Sequence, residues 1–336
     1  MRAVTALIAL LAVALAAWSG FWWLGATAKR DAVEAWLAER RADGWAADAE
    51  VSVAGYPNRF DMTVEDLTLA DPEAGWAWSA PAFRTFMLAY RPNEIIAEWP
   101  GAHAISVPGE RAEAAAERFR ASAAFRPTTA LELDRAVVEA DGLTLAGAAG
   151  WSAAIGRAQL SVRRSEALEA AHAYDAVLDA REVAPPDAWR AVFGAGLGAA
   201  LPARITRAAL DVSAALRRPL DRRAVEESDL SPEVLVVNRS LIRWGPLGLE
   251  AEGRLEIAPD GTPEGRLQLT ARNWRAMLAA AADAGVLAPG LAETLRAGLE
   301  LLALLSEEDG ALEAPLVFAD GRVSLGPIPL GPAPRF

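Results

Sequence analysis

Few residues in this chain have the types and spacing that chemistry needs. His103 and His172 are its two histidines. Neither has a Glu or His three or four residues on, so a zinc site or a His-centred triad has little to build on. Cysteine is absent, which removes thiolate ligands, thiol nucleophiles and disulfides. "GAGLG" (194–198) has the glycine content of a dinucleotide loop, but "DAWRAVF" before it reads as helix where the fingerprint needs a strand. "SEEDG" (306–310) groups three carboxylates, yet a calcium loop spreads its oxygens over about twelve residues, so a helix end and turn is expected. Asn238-Arg239-Ser240 matches a glycosylation sequon, a pattern frequent by chance. No nucleophile, base and orienting group come together, so the expectation is a non-enzymatic protein with no cofactor and no metal. Hydrolase is the least supported reading.

One stretch remains, "GYPNRFD" (Gly55, Tyr56, Pro57, Asn58, Arg59, Phe60, Asp61). It suits a turn, a binding box or an active-site loop. If the alternation of the flanking residues runs through it, Tyr56, Asn58, Phe60 and Met62 face one way and Pro57, Arg59, Asp61 and Thr63 the other. Tyr56 and Phe60 would then plug a core, with Arg59 and Asp61 paired on the opposite face. Pro57 has no N–H, so the ladder must break or run along an edge there. The preferred reading is a kinked strand junction, and the rival is a ligand contact by Arg59.

The elements around these residues begin with a membrane signal. "AVTALIALLAVALAAWSGFWWLG" (3–25) is uncharged, and the run continues to Ala28. A span needs about 20 apolar residues, a secretory signal core only about 7–15. Trp18, Phe21, Trp22 and Trp23 gather where an aromatic belt would lie. A retained anchor is therefore expected, with Ala26-Thr27-Ala28 marking the rival, a signal cleavage site. Either way the bulk of the chain is exported. Lys29, the chain's single lysine, and Arg30 follow the span. The net charge of −12 argues against a nucleic-acid partner.

Beyond the span, residues 31–43 read as a separate amphipathic helix, capped by Asp31, with Val33, Trp36 and Leu37 inward and Gly44 as the stop. The period then changes to two. Phe60, Met62 and Val64 share a face, the phase slips at Glu65-Asp66, and Leu67 and Leu69 take over, as at a β-bulge. Strands follow at 76–78, 83–90 and 95–99. Asp141-Gly142, Asp260-Gly261 and Asp320-Gly321 are hairpin signals. In the 253–274 hairpin, Leu255 and Ile257 should be answered by Leu267 and Leu269. Ala/Leu-rich helices are expected at about 187–200, 274–285 and 289–306, the last with Leu291, Leu295, Leu299 and Leu302 on one face. The fold class is α+β: antiparallel hairpins forming a curved sheet, helices over one face, and an N-terminal transmembrane helix. Residues 1–28 are the anchor, 29–48 a helix and linker, and 49–336 a β-rich domain with a candidate subdomain boundary at Pro185-Pro186.

A run of motifs also carries a resemblance. G-Y-P-x-R-F-D at Gly55–Asp61, a Trp-rich strand ending in S-A-P at Trp76, Trp78 and Pro81, Y-R-P at Tyr90 and Pro92, and W-P-G at Trp99–Gly101 resemble domain of unknown function family 2125. The closing "DGRVSLGPIPLG" fits as well. The resemblance implies a bacterial envelope protein with an N-terminal membrane segment and no assigned activity. The layout is more distantly similar to AsmA-like and YdgA-like envelope proteins, associated with outer-membrane assembly or lipid handling.

The expected protein is thus a single-pass inner-membrane protein with its bulk in the periplasm. Its partners would be the membrane itself, a lipid or acyl chain in an apolar groove, and other envelope proteins. The alternative is an interaction scaffold with no groove. Whether Trp76, Trp78 and Trp99 line a cavity or fill a core discriminates between the two.

Overall fold

The structure, a computed structural model, describes residues 2–190, 201–227, 230–283, 289–304 and 311–336. Among these residues it is mostly antiparallel β-structure, 17 strands with few helices, behind a long apolar N-terminal helix. "GAGLG", "SEEDG" and most of the stretch expected as helix at 187–200 fall outside the described residues.

The chain opens with α1 (Arg2–Ala42), a single helix of 41 residues, about 60 Å long at a rise of 1.5 Å per residue. The expected break between span and amphipathic helix is not there. Asp31 lies inside the helix rather than capping one, because a polar patch changes which side faces water without interrupting the backbone ladder. Arg30 instead pairs with Glu34 one turn on, 3.6 Å. Gly44 does stop the helix: at φ +89°, its amide donates to the Arg41 carbonyl and that of Trp45 to the Arg40 carbonyl, 3.1 and 3.0 Å. That pair of bonds is a Schellman closure.

The chain divides into two compact units, residues 1–124 with 145–150, and 125–144 with 151–336. Pro185-Pro186 follows directly on a strand of the second unit. The first unit carries α1 and strands β1 (Ala46–Ala54), β2 (Arg59–Asp71), β3 (Trp76–Leu88), β4 (Arg91–Glu98), β5 (Ala102–Val107), β6 (Glu110–Ala115) and β7 (Arg118–Phe125). Strand β2 pairs with β1 on one side and β3 on the other. Asp48 sits opposite Thr68 and Glu50 opposite Glu65, so β2 holds an extra residue there, and Asp66 takes φ +50°. The bulge returns the apolar positions to one face: Val64, Leu67 and Leu69 are all buried with Ala80 under Leu37 of α1. Val33 packs there too, whereas Trp36 is exposed. The stretches read as strands at 76–78 and 83–90 form one strand, β3, running through Pro81.

The second unit continues with β8 (Leu133–Gly147), β9 (Ser152–Arg164), β10 (Ala173–Ala184), β11 (Ile205–Leu216), β12 (Pro232–Trp244), β13 (Leu247–Ile257), β14 (Pro263–Arg272), β15 (Ala311–Ala319), β16 (Arg322–Leu325) and β17 (Ile328–Pro332). Between them lie α2 (Arg222–Glu226), α3 (Trp274–Asp283) and α4 (Pro289–Ala303). Asp320-Gly321 makes a two-residue turn with φ +53° and +68°, the mirror-image geometry that matches strand twist. Asp141-Gly142 makes no turn and lies inside β8, with Gly142 at φ +60°. The β13–β14 hairpin forms in a tighter register than expected: Leu255 faces Gly265 and Ile257 faces Pro263.

The register sorts the second unit's side chains. Leu160, Leu178 and Leu210 lie directly across β9, β10 and β11. One step along, Ala158, Ala180, Ala208, Ile242, Leu249, Ala271 and Leu312 continue through β15. The opposite face pairs Gln159, Asp179 and Ala209, with Arg157, Arg181 and Arg207 in the next row on one side and Ser161, Val177 and Asp211 on the other. A half-buried antiparallel sheet alternates in this way. Leu295 and Leu299 of α4 and Trp274 of α3 cover the apolar face at Ala271, Leu312 and Ala314.

Candidate functional site

The signature box is a hairpin turn docked on a helix. Residues 56–58 form the β1–β2 turn, with a cis Tyr56–Pro57 peptide, so the alternation of the flanking strands does not run through it. Gly55 at φ +99° opens the turn; a Cβ there would lie 2.9 Å from the Arg59 carbonyl oxygen. Phe60 is buried, as parity predicts. Tyr56 is not: half-exposed, it leans edge-on against Trp22 of α1, centroids 5.5 Å apart, and shares a 2.8 Å hydrogen bond with the Ser19 hydroxyl.

The helix holds the turn by its backbone. The Trp18 indole N–H donates to the Pro57 carbonyl at 2.9 Å, and the Trp22 indole to the Arg59 carbonyl at 2.7 Å. Trp22 stacks on Phe60, 5.9 Å between centroids and 16° between planes. Below it, Gly25 leaves room for the same ring; a Cβ there would stand 2.7 Å from Phe60 Cζ. Ala26 closes the pocket with Met87 and Ala89, and the Lys29 ammonium lies 5.7 Å over the Phe60 ring. Trp18, Trp22, Gly25, Ala26, Lys29, Val33 and Leu37 recur every three or four residues, the period of one helical face. That spacing was readable in the sequence. Tryptophans gathered at the end of an apolar run point to the bilayer interface, and nothing local in the sequence shows that Trp18 and Trp22 also donate hydrogen bonds to the box.

Arg59 and Asp61 are paired as expected, Nη2 to Oδ2 at 2.7 Å. The pair is lopsided, with the Arg59 side chain 58% exposed and that of Asp61 15%. Asp61 Oδ1 is buried without a partner. The adjoining β3–β4 tip belongs to the same assembly: the Ala89 amide donates to the Asn58 carbonyl at 2.8 Å, while Tyr90 and Pro92 are exposed.

The remaining signature residues lie further along the first unit and pack against one another. Trp76 meets Trp45 edge-on at 5.2 Å, and Trp99 lies between Phe83 and Phe119, 5.4 and 4.9 Å. The Trp78 indole donates to His103 Nδ1 at 3.3 Å and stacks on that ring. Gly101, at φ +83°, abuts Pro81, where a Cβ would come within 2.6 Å of the ring, so the S-A-P and W-P-G motifs fit together. His103 is buried, and burial lowers its pKa from 6.5, with the Pro100 carbonyl pulling the other way. Trp76 and Trp78 are partly buried against the Leu67, Leu69 and Ala80 core, and Trp99 is partly buried between its two phenylalanines. Among the described residues no group of three or more His, Asp or Glu could hold a metal.

A β-sheet protein tied by its signature turn to a long apolar helix is the class that fold and site define. The chain belongs to the DUF2125 family, described as uncharacterized proteins conserved in bacteria, whose model matches residues 22–334. No curated protein and no solved structure matches it.

Proposed function

We propose that this protein is a non-catalytic factor of the bacterial envelope. Its retained anchor α1 holds it in the inner membrane, its bulk lies in the periplasm, and its second unit holds a lipid acyl chain on the open part of its apolar sheet face. Retention is supported by what cleavage after Ala28 would remove. Trp18, Trp22, Gly25 and Ala26 would leave, stripping Phe60, Met87 and Ala89 of their cover. The family match also begins inside the helix, at residue 22.

The observation that carries the lipid reading is the apolar row itself. Where α3 and α4 pack, it is buried. Across β9 to β13, Leu160, Leu210, Ile242 and Leu249 keep 36–42% of their surface among the described residues. Contiguous exposed apolar surface of this kind marks a binding or membrane-facing site. The first unit, with its tryptophans packed ring on ring, favours the scaffold reading for that half of the chain.

The test is photolabelling of the full chain in membranes with a diazirine fatty acid, followed by peptide mapping. Labelling should fall on β9–β13, and Leu178→Glu should abolish it there. Val236, opposite Ser213 and Arg254, lies on the polar side, so Val236→Glu should leave labelling intact. Labelling confined to α1 would sink the lipid reading and leave the scaffold.

A further inference from the structure

The depth of the box in the bilayer follows from counting along α1, given the retained anchor. A hydrocarbon core about 30 Å thick takes about 20 helical residues. Starting from Ala3, beside the charged Arg2, such a span ends at about Trp22. The box makes its first contacts earlier, at Trp18 and Ser19. Sixteen residues, Ala3 to Trp18, rise only about 24 Å. No spacer separates bilayer from domain, so the docked turn cannot stand clear in water.

The side chains at that level suit a headgroup layer. Phe21, whose ring leans on Trp18, and Trp23 are 51% and 63% exposed, and Tyr90 on the neighbouring tip is 61% exposed. Tyr56 is half-exposed beside Ser19. Aromatic rings with a polar atom settle at the membrane interface, and arginine side chains reach from there to phosphate. Arg59 and Arg91 supply exposed guanidiniums on the same two tips, each also near one carboxylate.

We infer that the box turn and the β3–β4 tip are seated in the phospholipid headgroup layer of the membrane that α1 spans. The G-Y-P-x-R-F-D signature is then a device that fixes the depth and tilt of the first unit. Strand β2 runs 13 residues from the box, about 40 Å at 3.3 Å per residue. The turn at its far end, around Glu73, therefore stands in water.

The chain has no cysteine, so single-cysteine variants carry a nitroxide label without background. Leu7→Cys, Tyr90→Cys and Glu73→Cys, each in the full chain, are reconstituted in phosphatidylethanolamine–phosphatidylglycerol bilayers. Spin-label accessibility to oxygen and to a water-soluble nickel chelate then reports depth. The expected order is Leu7 in hydrocarbon, Tyr90 at the headgroup–acyl boundary and Glu73 in water. Tyr90 as open to nickel as Glu73, with Leu7 still deep, would overturn the inference and leave the anchor standing. Glu73 as shallow as Tyr90 would also overturn it, since the unit would then lie along the bilayer. Leu7 in water would remove the anchor reading and the inference with it.

Discussion

Phe60 is held by Trp22 in front, Gly25 beneath and Met87 beside it, and single changes there should be read in that light. Phe60→Ala should destabilise the first unit by about 3–5 kcal/mol, the cost of emptying a packed aromatic site. Gly25→Val should cost about 1–3 kcal/mol by overpacking, because the displaced neighbour is a ring already stacked on Trp22. Denaturant unfolding of the full chain in detergent, followed by the near-ultraviolet signal of the tryptophans, measures both. Asp61→Asn should cost no more than about 1 kcal/mol, since its partner Arg59 is mostly in solvent. His103 gives a pH signature. Its folded pKa is lowered, so the unfolded chain takes up the proton more readily. The stability this ring contributes is complete above 6.5 and declines as pH falls through that value. Unfolding midpoints should fall more between pH 7.5 and 5 for the wild type than for His103→Gln; equal falls would refute the assignment.

At the scale of elements, α4 is the cover whose removal should matter most. Leu299 is buried against the strand face that includes Leu312 and Ala314, so Leu299→Ala should cost about 2–5 kcal/mol. Faster amide exchange should appear in β15, while the first unit's exchange stays unchanged. Much of this layout was legible in the sequence. The slip at Glu65-Asp66 announced the bulge because a one-residue insertion must swap the faces, and Asp320-Gly321 announced its turn because both positions need positive φ. Legibility failed where a local signal was overruled by distant partners. Lys29, Arg30 and Asp31 look like a helix boundary, yet α1 passes through them with its packed face toward β2. Parity carried through Pro57 put Tyr56 in a core, when its partners lie in the helix 37 residues earlier. The β13–β14 register was set by Gly253 and Gly265, each of whose missing Cβ admits the facing strand's backbone, within 2.3–2.4 Å of a carbonyl oxygen.

For the whole molecule, the central claim is that span and domain are one construction: α1 contributes its first half to the bilayer and its second to the core of the first unit. A helix long and apolar enough to cross a membrane is common to anchors and signal sequences. The proposed retention draws its support from the bonds that Trp18, Ser19 and Trp22 make to the box. Deleting residues 1–28 should therefore do more than release the protein from the membrane. It should leave the first unit unable to unfold cooperatively, while restoring 18–28 without the rest of the span should recover the transition. The most direct measurement is the intact mass of the mature protein purified from its native membranes after carbonate washing. The account predicts a carbonate-resistant chain whose mass includes the whole of α1. A soluble species beginning at Lys29 and folded as described would contradict it.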